Sequence, residues 1–162
     1  MKASKLLWLV GLCALGCQSV AESAGSAAAD YVSKANYDRL VIEVDAVGGH
    51  SLDAVTTDFM AQELEPLLDK PGGLSFEFSH SIPDADMRAT YTVDDLRALE
   101  ASHRNRSSEE DTAALYVLVV TGAYAGLAEG DSILALAYSE SSIVLFAEAI
   151  AEACAEDLSL LE

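Results

Sequence analysis

Apolar runs of strand length alternate along the chain with segments whose apolar residues recur at helical spacing, and glycine, proline or capping residues separate them. Leu40-Val41-Ile42-Glu43-Val44 is rich in β-branched residues and closed by Gly48-Gly49, which predicts a mostly buried first strand. A helix follows. Asp53 or Ser51 can cap it, and Leu52, Phe59, Met60, Leu64 and Leu67 share one broad face. Pro66 kinks or shortens this helix, and Pro71-Gly72-Gly73 stops it.

Leu74-Ser75-Phe76-Glu77-Phe78 alternates apolar with polar, the mark of a half-buried second strand. Thr92 and Asp95 have the spacing of a capping box, which predicts a second helix from Val93 to about His103 with Leu96 and Leu99 turned inward. The polar stretch from Asn105 to Asp111 reads as a loop. Ala113 to Val120 is the most apolar run after the N-terminal segment and predicts a central strand, because it is short and rich in valine. Gly122 to Asp131 is a second loop. Ile133 to Tyr138 and Ser142 to Phe146 then give two short strands, and Ala147 to about Glu156 a last helix. This alternation predicts an α/β (α+β) domain with a single mixed, mainly parallel sheet of about five strands and helices packed on it.

Before this domain, Lys2 and Lys5 precede the apolar run Leu6 to Gly16, the charged-then-apolar order of a secretory signal. The run is too short to span a bilayer, which takes about 20 apolar residues. Ala14-Leu15-Gly16-Cys17 resembles a lipobox, with Ala14 where leucine is usual, and implies lipid attachment at Cys17; cleavage after Ser19-Val20-Ala21 competes with it. Three segments result: a signal over 1–17, a flexible Ser/Ala/Glu-rich tether over 18–36, and the α/β domain over 37–162. The expected location is the cell envelope, on a membrane and facing the periplasm or the exterior.

The charge narrows the choice of partners. The chain has a formal charge of −18, and without Lys2 and Lys5 seven basic residues stand against 27 acidic ones, a net of −20. Such a surface repels phosphate backbones and anionic headgroups, so no nucleic-acid partner is expected and membrane contact falls to a lipid on Cys17.

Catalytic chemistry finds little support in the residues. His50, His80 and His103 are isolated, without the i, i+4 pair that sets two imidazoles on one helix face. Asp84 with Asp86, Asp94 with Asp95, and Glu109-Glu110-Asp111 lack the spacing of a calcium loop and read as caps and solvated charge. Ser139, Ser141 and Ser142 have no nucleophile-elbow context. Cys13 lies in the signal and Cys17 at its end, so Cys154 is the sole thiol of the folded domain. It reads either as an unpaired thiol open to intermolecular pairing or as a small buried side chain.

Several phrases carry a resemblance: Tyr37-Asp38-Arg39-Leu40-Val41-Ile42-Glu43-Val44-Asp45, Leu68-Asp69-Lys70-Pro71-Gly72-Gly73, Asp94-Asp95-Leu96-Arg97-Ala98-Leu99-Glu100, Ala114-Leu115-Tyr116-Val117-Leu118-Val119, and Ala137 through Phe146. In order and wording the chain resembles the N-terminal half of bacterial lipoprotein zinc metalloproteases with a metzincin-like fold. The resemblance implies that the last strand leads into a helix that, in complete relatives, bears HExxH and binds zinc. No HExxH occurs in this sequence, so no catalytic residue, metal ligand or zinc cofactor is assigned. It also implies a substrate-like edge strand of Ile133, Leu134, Ala135, Leu136, Ala137 and Tyr138, to which a peptide would add by backbone pairing.

Two readings stay open. The chain is a truncated or inactive protease relative, or a free-standing envelope lipoprotein that acts as a binding or structural module. Ile150, Cys154, Leu158 and Leu161 form an apolar stripe at helical spacing with no glycine or proline stop, which predicts an uncovered surface and self-association.

Overall fold

A computed structural model describes residues 28–48, 52–128 and 130–159. The expected signal with Cys13 and Cys17, the cap candidate Ser51, His50, and Leu161 of the C-terminal stripe therefore lie outside the described residues.

Strands β1 (Arg39–Val47), β2 (Gly73–Ile82), β4 (Thr112–Val120), β6 (Ala135–Ser139) and β7 (Ser142–Phe146) form one five-stranded sheet in the order β2-β1-β4-β7-β6. β2, β1, β4 and β7 are parallel and β6 is antiparallel to β7. The mainly parallel α/β architecture read from the sequence is thus the one observed. Besides it, β3 (Thr90–Tyr91) and β5 (Ala123–Tyr124) make a separate parallel pair inside what the sequence presents as loop. Gly122 permits this pairing. Its φ is +90°, and a Cβ there would sit 2.5 Å from the Arg88 carbonyl oxygen. A two-residue strand has no periodicity to reveal it.

Helices cover both faces. α1 (Ala54–Leu64) lies over the face of Leu40, Ile42, Val44 and Ala46, where Leu52, Leu64 and Leu68 pack. α2 (Val93–His103) lies over the opposite face, with Leu96 and Leu99 buried beside Tyr116, Leu118 and Val144. The capping box of α2 is formed: the Thr92 hydroxyl accepts the Asp95 N–H and the Asp95 carboxylate accepts the Thr92 N–H. Asp53 caps α1 by accepting the Thr56 N–H at 2.7 Å.

The expected inward face of α1 needs correction. Thr57 is the buried residue of the helix, whereas Phe59 is 61% and Val55 77% exposed. At about 100° per residue, positions two before and two after Thr57 point away from the sheet, while Met60 and Leu64 lean toward it. Leu67 belongs to a 3-10 turn over Glu65–Leu67 begun by Pro66, and that turn swings it outward to 75% exposure.

Part of the expected tether is ordered as well. Residues 28–32 are helical, and the buried Lys70 ammonium donates to the carbonyls of Asp30, Ser33 and Tyr37 at 2.5, 2.6 and 2.7 Å. A cation at a helix C-terminus satisfies carbonyls that have no partner within the helix. The tether residues show no apolar period because a lysine 40 positions away in sequence supplies the order.

β7 runs directly into α3 (Ala147–Ser159). Ala147 touches one face of the core and Ala149 the other. Among the described side chains of α3 none is buried.

Candidate functional site

The sheet ends at β6, and the hydrogen-bond ladder fixes which of its backbone groups look outward. The Phe146 N–H donates to the Leu134 carbonyl at 2.9 Å, and Leu136 stands opposite Val144. In an antiparallel ladder inward-bonded residues alternate with outward-facing ones, so Leu136 bonds toward β7 and the N–H and C=O groups of Ala135 and Ala137 face away from it. Both alanines are exposed. Ile133 and Leu134, expected in this strand, precede it: the regular pairing starts at Ala135, and a register shift between Ala137 and Ser139 carries the strand on to Ser139.

Tyr138 anchors the strand. It is 5% exposed and belongs to the core under α2. Its hydroxyl faces Glu100 and Ser142 without completing a well-formed hydrogen bond among the described residues. Burial first and the Glu100 carboxylate second raise its pKa far above the ordinary tyrosine value, so it stays a neutral phenol.

Around Tyr138 lies a polar constellation that joins three elements. The Arg104 guanidinium, just past α2, donates to Glu100 at 2.7 Å, to the Ser141 hydroxyl at 2.8 Å and to the Ala114 carbonyl at 3.1 Å. It also stands 5.8 Å from the centroid of the Tyr116 ring, within cation–π range. Ser142 donates to Glu100 at 2.6 Å. One arginine thereby ties the end of α2 to the start of β4 and to the turn between β6 and β7, which holds the edge strand in place.

β1 supplies two further acids. Glu43 and Asp45 have no exposed surface and share the α2 side of the sheet with Val47, two residues apart as the pleat requires. The Tyr116 hydroxyl donates to Asp45 at 3.0 Å. Burial and the neighbouring Asp45 charge drive the Tyr116 pKa up, so it stays a neutral phenol at neutral pH. Glu43 accepts the Asn105 N–H at 2.9 Å, the Arg106 N–H at 2.8 Å and the Asn105 side-chain amide at 3.0 Å. Burial pushes its pKa up, but these donors outweigh burial and hold the carboxyl below its ordinary value.

None of these acids was singled out from the sequence as a site. The signal was present: Glu43 and Asp45 interrupt, at alternate positions, a run that is otherwise Val, Ile and Ala. Their partners Asn105, Arg106 and Tyr116 lie more than 60 residues away in sequence, beyond local pattern. Of the residues singled out in the sequence, Ser141 and Ser142 meet at Arg104 and Glu100, while the other described ones do not converge with them. Asp94 pairs with Arg97, Asp95 with Arg88, and Glu109 bridges Thr112 in the turn before β4. Cys154 is an exposed free thiol, not a buried one.

Among the described residues no group of three His, Cys, Asp or Glu side chains is placed to hold a metal, and no helix is long and apolar enough to cross a membrane. The chain matches no family model, no curated protein and no solved structure.

Proposed function

We propose that this is an exported, lipid-anchored relative of metzincin-like zinc proteases that does not cleave, and that it holds an extended peptide against strand β6. The observation that carries the proposal is the open edge: the backbone groups of Ala135 and Ala137 face outward from an antiparallel strand whose inner side is fixed by Leu136 and Tyr138. Edge pairing takes affinity from backbone hydrogen bonds and tolerates many sequences. Small side chains at both outward positions leave room for the added strand.

The protease kinship rests on the sequence resemblance, and the passage of β7 straight into α3 behind an antiparallel edge strand is consistent with it. Where such a helix would need HExxH, α3 reads Ala147-Glu148-Ala149-Ile150-Ala151 and has no imidazole. The constellation around Arg104 supports the strand by tying it to α2 and β4.

The test is fluorescence anisotropy with labelled, unfolded casein fragments and the full chain. Saturable binding that is lost in Ala137→Pro, which removes one outward N–H and spares the ladder to β7, supports the proposal. Equal binding by both proteins, or none by either, overturns it. Lipid attachment is tested separately: labelled fatty acid should enter the wild type and not Cys17→Ser.

A further inference from the structure

We infer that a groove over the segment from Arg104 to Ser108 binds a small tetrahedral oxyanion, such as phosphate, sulfate or a simple phosphate monoester. The groove has a volume of about 510 Å³ and is lined by Arg104, Asn105, Arg106, Ser107, Ser108 and Ser141. None of these side chains is a carboxylate, and all but Asn105, whose amide hydrogens go to Glu43 and the His103 carbonyl, have the chemistry to donate to a ligand. In a chain with nine basic and 27 acidic residues, this grouping runs against the composition. Arginine with hydroxyl donors is the set that suits a tetrahedral anion.

The donors are held before any ligand arrives. Glu43, buried at the centre of the sheet, accepts the backbone N–H groups of Asn105 and Arg106 and so fixes the course of the segment. Burying a carboxylate costs several kcal/mol unless donors compensate it, and here the compensation falls on this segment. Arg104 is immobilised by Glu100, the Ala114 carbonyl and its own contact with the Arg106 carbonyl at 2.6 Å. Ser108 accepts the Ala114 N–H at 2.9 Å, which leaves its hydroxyl hydrogen to donate elsewhere. The Arg106 fork gives Nε and one Nη2 hydrogen to Glu77, at 2.7 and 3.0 Å, and keeps its Nη1 hydrogens out of that pair.

Glu77 is thus a competitor that keeps affinity modest. That gives the test a direction that simple charge screening does not share. Amide shifts of the full chain are followed by NMR in sodium phosphate, sodium sulfate and O-phosphoserine, against sodium chloride at equal ionic strength. Saturable shifts at Asn105 to Ser108 in at least one oxyanion, absent in chloride, are expected, and the tighter of phosphate and phosphoserine tells the free ion from a monoester. Arg106→Gln should weaken binding about tenfold, the worth of one charge-assisted hydrogen bond. Ser107→Ala should weaken it several-fold without disturbing the fold, and Glu77→Gln should tighten it. Asp58→Asn, which removes one charge on α1, should leave it unchanged. Identical shifts in chloride, tightening by Asp58→Asn equal to that by Glu77→Gln, or full-strength binding by both Ser107→Ala and Arg106→Gln would overturn the site.

Discussion

Glu43, with no exposed surface, accepts the Arg106 backbone N–H at 2.8 Å, so the middle of β1 is joined to a segment 63 residues further along the chain. Removing the carboxylate would take from the N–H groups of Asn105 and Arg106 the acceptor that ties their segment to β1. Glu43→Ala is expected to destabilise the fold by about 3 kcal/mol, the range for breaking a buried charged network. Urea unfolding monitored through the tyrosines measures it, and a loss below about 1 kcal/mol would mean that the segment is held by something else.

The same contact sets a pH dependence. The carboxyl of Glu43 titrates below its ordinary value in the folded chain, so its contribution is fully present above the unfolded carboxyl pKa of about 4.3 and is lost as pH falls from there through the lower folded value. Stability should decline on acidification below about pH 4, and Glu43→Gln should decline less steeply over that window. Parallel curves for the two proteins would assign acid sensitivity to other carboxylates.

Arg104 bears on three elements at once, and its pairing with Glu100 is mostly buried, with side-chain exposures of 17% and 16%. Arg104→Ala should cost about 3 kcal/mol, and Arg104→Lys should recover only part of it, because an ammonium cannot form the planar fork that reaches Glu100, Ser141 and Ala114 together. Thermal melts of the two variants check the order. Full recovery by lysine would show that charge alone matters there.

On the other side of the molecule, Phe59 and Val55 of α1 face solvent. Phe78 of β2 is 48% exposed on the same face of the sheet, since its partner Val44 belongs to the core beneath α1. Phe59→Ser should change stability by no more than about 0.5 kcal/mol, as exposed substitutions do, while lowering binding of a hydrophobic dye. A large loss of stability would return Phe59 to the core.

All five strands of the main sheet and helices α1, α2 and α3 are legible in the sequence, through features such as the β-branched run of β1, the alternation of β2 and the Thr92–Asp95 box of α2, whereas the helical turn over 28–32 is not. Errors arose where local pattern stops carrying information. The apolar stripe on α1 is broader than the face the helix buries, since periodicity says which residues share a side but not where the sheet stands, and the buried Thr57 marks that side. Order at residues 28–36 came from Lys70, and the constellation around Arg104 came from strand register, both of them long-range. The outward direction of Ala135 and Ala137 follows from the ladder register, which no local pattern carries.

The central claim concerns those two backbone N–H groups, and amide hydrogen exchange reads them individually. In the free chain Ala135 and Ala137 should exchange fast, while Leu136, bonded to β7, exchanges slowly. With saturating unfolded casein fragments the account predicts that Ala135 and Ala137 slow by about tenfold or more while Leu136 changes little, as new bonds form along the edge. Unchanged exchange at both alanines in the presence of bound peptide would contradict it.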